Sequence, residues 1–261
     1  MQRTVPRAVQ SPVCLVQSQA LIVDDAVPVR FVGHWDVWGT ASLTNNGQSA
    51  VLTLTNRPYQ PFVVGGPLGG VFVFEQLHFH WGPDDCVGCE HLIEGRAQSM
   101  EAHLVHYNVR YGSFAAAKNK TDGLMVAAFL FDAQPNQADW MPLQPIVRAL
   151  RYIQPPGTST AVPSDCLRWM VGQVLDRHYY TYHGSMTTAP YRECVTWLIY
   201  HAPIFISSRQ VAAFRRLLRK QSGSRAALVP IVSNFRPVQS PSNAFRLAFV
   251  RDNVRPVRSK L

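Results

Sequence analysis

Three histidines, His78, His80 and His103, carry the strongest chemical signal in this chain. They sit in Gln76-Leu77-His78-Phe79-His80-Trp81 and in Glu101-Ala102-His103-Leu104-Val105-His106. Side chains alternate faces along a β-strand, so residues two apart share a face. Gln76, His78 and His80 therefore fall on one side of a first strand, and Glu101, His103 and Val105 on one side of a second. Antiparallel pairing lets the three imidazoles converge, with Gln76 and Glu101 beside them. Three neutral imidazoles and one open position make the ligand set of a catalytic zinc site rather than a closed structural one. An amide or carboxylate next to a ligating ring fixes its tautomer and raises its basicity. The alternative is a set of core or edge histidines satisfied by hydrogen bonds, and the common parity of ligands and neighbours argues against it.

The elements that must hold these residues are mostly strands. Strand-like runs occur at Val51–Leu54, Val71–Phe74, Phe129–Phe131, Val195–Ile199 and Phe245–Phe249, with turn signals such as Gly65-Gly66-Pro67-Leu68-Gly69-Gly70 between them. Helical periodicity is confined to Pro142–Ile153, Leu167–Asp176 and Ser208–Lys220. The last opens with Ser207 as N-cap and Gln210 at the capping-box spacing. A chain of 261 residues, 47% hydrophobic and 16% charged, can bury one large core. The pattern predicts a single mainly β (α+β) domain with short peripheral helices.

The longest apolar run, Leu124 to Phe131, suits a buried strand and falls short of the ~18 residues a membrane helix needs. Met1 to Arg7 has no apolar stretch of signal-peptide length. No membrane span and a cytosolic location are therefore expected. The five cysteines form an odd set that fits a reducing compartment. Cys86-x-x-Cys89 lacks a partner pair at zinc-finger spacing and is read as two loop thiols. The net charge is +9, and residues 207–261 hold twelve Lys/Arg against the single acid Asp252. Arg215, Arg216, Arg219 and Lys220 are read as a solvated helix face. No nucleic-acid motif accompanies this charge, so no nucleic-acid partner is expected.

With the histidine strands, the loop Gly184-Ser185-Met186-Thr187-Thr188-Ala189-Pro190 and the run Glu193-Cys194-Val195-Thr196-Trp197, the chain resembles the α-class carbonic anhydrases. The resemblance extends from Gln10-Ser11-Pro12-Val13 to about Ala248. It includes Asn45-Asn46-Gly47, Gly65-Gly66-Pro67-Leu68, Gly88-Cys89-Glu90-His91, Asp122-Gly123-Leu124 and Asn234-Phe235-Arg236-Pro237. It implies a large twisted, mostly antiparallel sheet in a domain spanning 10–250, between a short arm (1–9) and a basic tail (251–261). It also implies hydration of carbon dioxide to bicarbonate and a proton by a zinc-bound hydroxide. One Zn2+ would be held by His78, His80 and His103, with Gln76 orienting His78 and Glu101 orienting His103. Zinc lowers the pKa of its water to ~7 in such enzymes. The Thr187 hydroxyl would accept the hydroxide's proton while donating its own to Glu90. Val105, Val126, Met186, Thr188, Val195 and Trp197 would form the substrate pocket. Met186 stands where the family usually has Leu, a nearly volume-conserving change. Ser11, His91 and Tyr182 match a buried hydrogen-bonded cluster, and His106 reads as buried scaffolding.

The chain departs from the family where a proton-shuttling histidine follows Asn-Asn-Gly. Gln48 stands there, and an amide has no proton-accepting state near neutral pH; His34 and His183 are the other relays the sequence leaves open. A second reading is a catalytically silent binding module that uses the basic C-terminal surface. A third is an ester hydrolase, which the residues do not favour. Finally, Ser259-Lys260-Leu261 matches an address read by a peroxisomal import receptor at a free C-terminus. Cytosol and peroxisome are both expected locations.

Overall fold

A computed structural model of the chain describes residues 9–24, 26–175, 178–221, 227–241 and 245–251. Twelve strands among them form one mixed sheet. In chain order its main path comprises β1 (Leu21–Asp24), β2 (Thr40–Asn45), β3 (Ala50–Thr55), β4 (Phe72–Trp81), β5 (Met100–Asn108), β6 (Leu124–Gln134), β7 (Ser159–Val162), β8 (Tyr179–Gly184), β9 (Val195–Ser207) and β10 (Ala248–Arg251). In space they run β7-β2-β3-β4-β5-β6-β9-β8-β10-β1. Neighbours are antiparallel except β6 with β9 and β10 with β1. Arg30–Val32 pairs with Phe62–Val64, which in turn pairs with the start of β4. The helices are short, as expected: Phe114–Ala117, Gln144–Ala149, Val171–Leu175 and Ser208–Phe214.

Both faces of the sheet centre are covered, which is why Leu124–Phe131 reads as a continuous apolar run. On one face Leu77, Phe79 and Trp81 pack with Leu104, Met125, Ala127 and Phe129 beneath Ile146, Val211 and Phe214. On the other face Val105, Leu124, Val126, Val195 and Trp197 belong to a second cluster. That second face carries the histidines.

The runs Val71–Phe74 and Gln76–Trp81 turn out to be one strand. The β4–β5 register shifts between Phe74 and Gln76, so Glu75 is an inserted residue. A bulge of this kind reverses the parity of the residues beyond it. Phe72 and Phe74 therefore reach the same core as Leu77 and Phe79, while Gln76, His78 and His80 point the other way.

The capping box at Ser207 and Gln210 is formed, but the helix ends at Phe214 rather than at Lys220. Leu218–Lys220 instead pairs antiparallel with Leu228–Pro230. Tertiary hydrogen bonds capture this segment: Leu218 N–H donates to Gln154 O (2.8 Å) and Ile231 N–H to Leu217 O (2.7 Å). Arg215 does not lie on a solvated helix face. Its guanidinium donates to Gly82 O at 2.7 Å and to Asp85 at 2.8 Å. Among the described residues no helix is long and apolar enough to cross a membrane. Ser259-Lys260-Leu261 lies outside the described residues.

Candidate metal centre

The β4–β5 register sets His78 opposite His103, His80 opposite Glu101 and Gln76 opposite Val105. Ring centroids are 4.8 Å apart for His78 and His80, 5.2 Å for His78 and His103, and 4.6 Å for His80 and His103. One ring nitrogen from each lies within 4.8 Å of the others, so the three could hold one metal ion.

Hydrogen bonds on the far side of each ring select the nitrogen that faces inward. His78 Nδ1 donates to Gln76 Oε1 at 3.0 Å and His80 Nδ1 to the Asn234 carbonyl at 3.0 Å. His103 Nε2 donates to Glu101 Oε1 at 2.7 Å. Each acceptor lacks a proton to give, so it fixes the ring tautomer and leaves Nε2, Nε2 and Nδ1 with free lone pairs. The Nε2 atom of His80 is buried with no hydrogen-bond partner in the protein, a state a metal ligand would relieve. Burial, reinforced by the neighbouring imidazoles, holds His78 well below the ordinary histidine range. His80 is also lowered by burial, with Glu90 opposing. Both rings are therefore neutral, as ligation requires. The donor set fits zinc, which takes nitrogen ligands in open three-ligand sites.

Glu101 anchors the arrangement from behind. Its Oε1 accepts from His103 and from His91 Nδ1 (2.7 Å), and its Oε2 from the backbone N–H groups of Glu90 and His91 (both 2.8 Å). Burial pushes this carboxyl up, but the two histidines outweigh it and hold it well below the usual carboxylate range. The cluster His91, Glu101 and His103 also has metal-ligand atoms close together. Those atoms are hydrogen-bonded to one another, so it is a brace for His103. The brace continues through Tyr182 Oη, which lies 2.7 Å from His91 Nε2 and 2.8 Å from Ser11 Oγ. Ser11 and Ser185 exchange backbone-to-hydroxyl bonds at 2.9 and 3.0 Å, tying the brace to the loop that carries Thr187.

The imidazoles floor a cavity of about 360 Å³. Val105, Val126, Met186, Val195 and Trp197 line it, joined by Phe114 and Leu124, which sequence reasoning did not assign to it. Thr187, Thr188 and Gln48 are also on its wall. Glu90 is buried beneath it. Its Oε1 accepts from Arg236 N–H at 2.8 Å and lies 3.3 Å from His80 Nδ1, while its Oε2 accepts no hydrogen bond and lies 3.8 Å from His103 Nδ1. His106 faces the opposite side of the sheet, with Nε2 2.9 Å from His34 Nε2, so neither is a further ligand. His183 is not part of the cavity lining.

Asn234, which the sequence reading quotes only as part of the family-like run 234–237, has a role at the site that the reading did not assign. Besides accepting from His80, its Oδ1 accepts from Trp81 N–H (2.7 Å), and its Nδ2 donates to Phe79 O and Gln48 O (both 2.9 Å). It thus grips β4 on either side of His80 and holds the Gln48 loop. Position 234 lies in an irregular segment far along the chain, so no spacing rule points to it.

This fold and this set of back-bonded imidazoles belong together. Residues 3–244 match the family model for eukaryotic-type carbonic anhydrase, and the chain belongs to that family. It is 33% identical over 231 residues to carbonic anhydrase 7 of Homo sapiens, covering 88% of this chain and 84% of that one. It is 36% identical over 189 residues to carbonic anhydrase 1 of Monodelphis domestica, covering 72% and 70%. With carbonic anhydrase 3 of Sus scrofa it shares 33% over 233 residues, covering 88% and 85%.

Proposed function

We propose that this chain catalyses the reversible hydration of carbon dioxide to bicarbonate and a proton, using one zinc ion held by His78 Nε2, His80 Nε2 and His103 Nδ1. The observation that carries this reading is three imidazoles, buried at His80 and His103 and half-buried at His78, whose free nitrogens face one cavity while the opposite nitrogens are tied to Gln76, Asn234 and Glu101. Bound there, zinc would supply the Lewis acidity that brings ionisation of a water into the neutral range.

The chain's own residues would do the rest. Glu90 Oε2, which accepts no hydrogen bond from the protein, would accept from the Thr187 hydroxyl, leaving the Thr187 oxygen as an acceptor that orients the nucleophile. Carbon dioxide is apolar, and Val105, Val126, Met186, Val195 and Trp197 offer it an apolar wall beside the histidines. The brace running from Glu101 to Ser11 keeps His103 and the Thr187 loop in fixed relation. Retention of all three histidines favours this reading over a silent binding module. Stopped-flow measurement of carbon dioxide hydration tests it: the full chain should be active, and His103→Ala should lose nearly all activity together with its zinc. Equal rates for the two would overturn the assignment.

A further inference from the structure

We infer that the chain carries a docking surface for an anionic membrane, beside its cavity mouth but made from other residues. No Asp or Glu occurs between Asp36 and Glu75, between Asp139 and Asp165, or between Glu193 and Asp252. The fold brings these three acid-free stretches together. Asn45 Nδ2 donates to Gln154 O (2.8 Å) and to Leu218 O (2.9 Å), and Leu218 N–H donates to Gln154 O. Around that junction Arg148, Arg151, Arg216, Arg219 and Lys220 are all exposed and form no ion pair among the described residues. Other cations of the region are engaged: Arg209 pairs with Asp139 and Arg215 with Asp85.

Apolar side chains project among the free cations. Leu228 is 47% exposed and sits directly across the ribbon from Lys220, so the two share a face. Val232 follows the same strand at 50% exposure, and Tyr152, with Arg151 stacked 4.5 Å over its ring, is 58% exposed. Cations that pair with acidic headgroups, with apolar tips that reach the acyl boundary, are the chemistry of an interfacial membrane contact. None of these residues lines the cavity floored by the histidines. The surface is fixed to the catalytic side by Asn45, whose neighbours Asn46 and Gln48 line the cavity. It does not rest on the catalytic reading.

Co-sedimentation of the full chain with phosphatidylcholine vesicles, with and without phosphatidylserine, tests this. Binding should require phosphatidylserine and fall as salt rises. Lys220→Glu, which removes the cation that shares a face with Leu228, should weaken it at least about fivefold. Leu228→Ser should weaken it several-fold without a charge change. Arg148→Glu/Arg151→Glu, on a separate element, should repeat the effect if the ribbon variant misfolds. Equal binding to both vesicle types, or no binding to either, overturns the proposal. So does binding of polyglutamate without binding of vesicles, which would assign the surface to an acidic protein.

Discussion

For the proposed reaction, Gln48 at the cavity rim should set a measurable limit on turnover. Each hydration releases one proton that must travel from the cavity floor to bulk solvent. Among the described residues, no side chain lining the cavity titrates apart from His78, His80 and His103. His34 is buried against His106 on the other side of the sheet. With an acid of pKa ~7 and recombination at the diffusional ceiling of ~10¹⁰ M⁻¹s⁻¹, export to water alone is limited to ~10³ s⁻¹. Fast carbonic anhydrases are known to turn over at ~10⁶ s⁻¹, so the missing relay corresponds to about 10³-fold. The Gln48 backbone is held in place by Asn234 and by its own N–H bond to Asn46 Oδ1 (2.9 Å), which leaves the side chain open to exchange. Gln48→His should therefore raise kcat ~10²-fold or more at low buffer, a typical size for one well-placed general base, while kcat/KM stays nearly constant. In the parent chain, imidazole buffers should raise kcat in its place. Stopped-flow rates at fixed pH and ionic strength, with buffer concentration varied, measure both effects. A parent kcat already maximal at low buffer, and unmoved by Gln48→His, would refute the reasoning.

Three further outcomes are expected. Thr187→Ala should keep its zinc but slow hydration by ~10²-fold, the usual cost of removing one positioned group, and an unchanged rate in stopped-flow assays would remove Thr187 from its role. His106 is buried and neutral, with its pKa pushed down to about 3 by burial. The unfolded chain takes up that proton near pH 6.5, so stability should be full above that pH and fall as pH drops toward 3, by a few kcal/mol from this residue. Urea midpoints measured across pH 4 to 7 should flatten in His106→Gln, and an identical slope would discount the residue. A tagged copy ending in Ser259-Lys260-Leu261 should collect in peroxisomes if that address is read and return to the cytosol when Leu261 is removed, whereas diffuse fluorescence for both dismisses the address.

The candidate metal site was largely legible because a strand's period of two is simple to read and its three histidines lie close in sequence. His78, His80, His103, Gln76 and Glu101 follow from parity once the two strands are paired. The bulge at Glu75 was not legible: alternation assigns Phe72 and Phe74 to the histidine face, and only the shifted β4–β5 register shows the reversal. The helix read through to Lys220 failed for a related reason. Helical periodicity is local, while the hydrogen bonds that Leu217 O accepts from Ile231 and Leu218 N–H donates to Gln154 decide that stretch. Asn234 entered only as part of a family-like run, and its role lay out of reach because its contacts are made across the fold. Ser11, His91 and Tyr182 entered through family resemblance, since residues so far apart share no spacing that would join them.

Metal content is the most direct test of the account. The purified full chain, freed of loosely held ions by gel filtration, should carry one zinc per chain by elemental analysis, and His103→Ala should carry almost none. A parent chain that holds no zinc when supplied with the ion, or one whose zinc is untouched by His103→Ala, would contradict the assignment of His78, His80 and His103 as a metal centre.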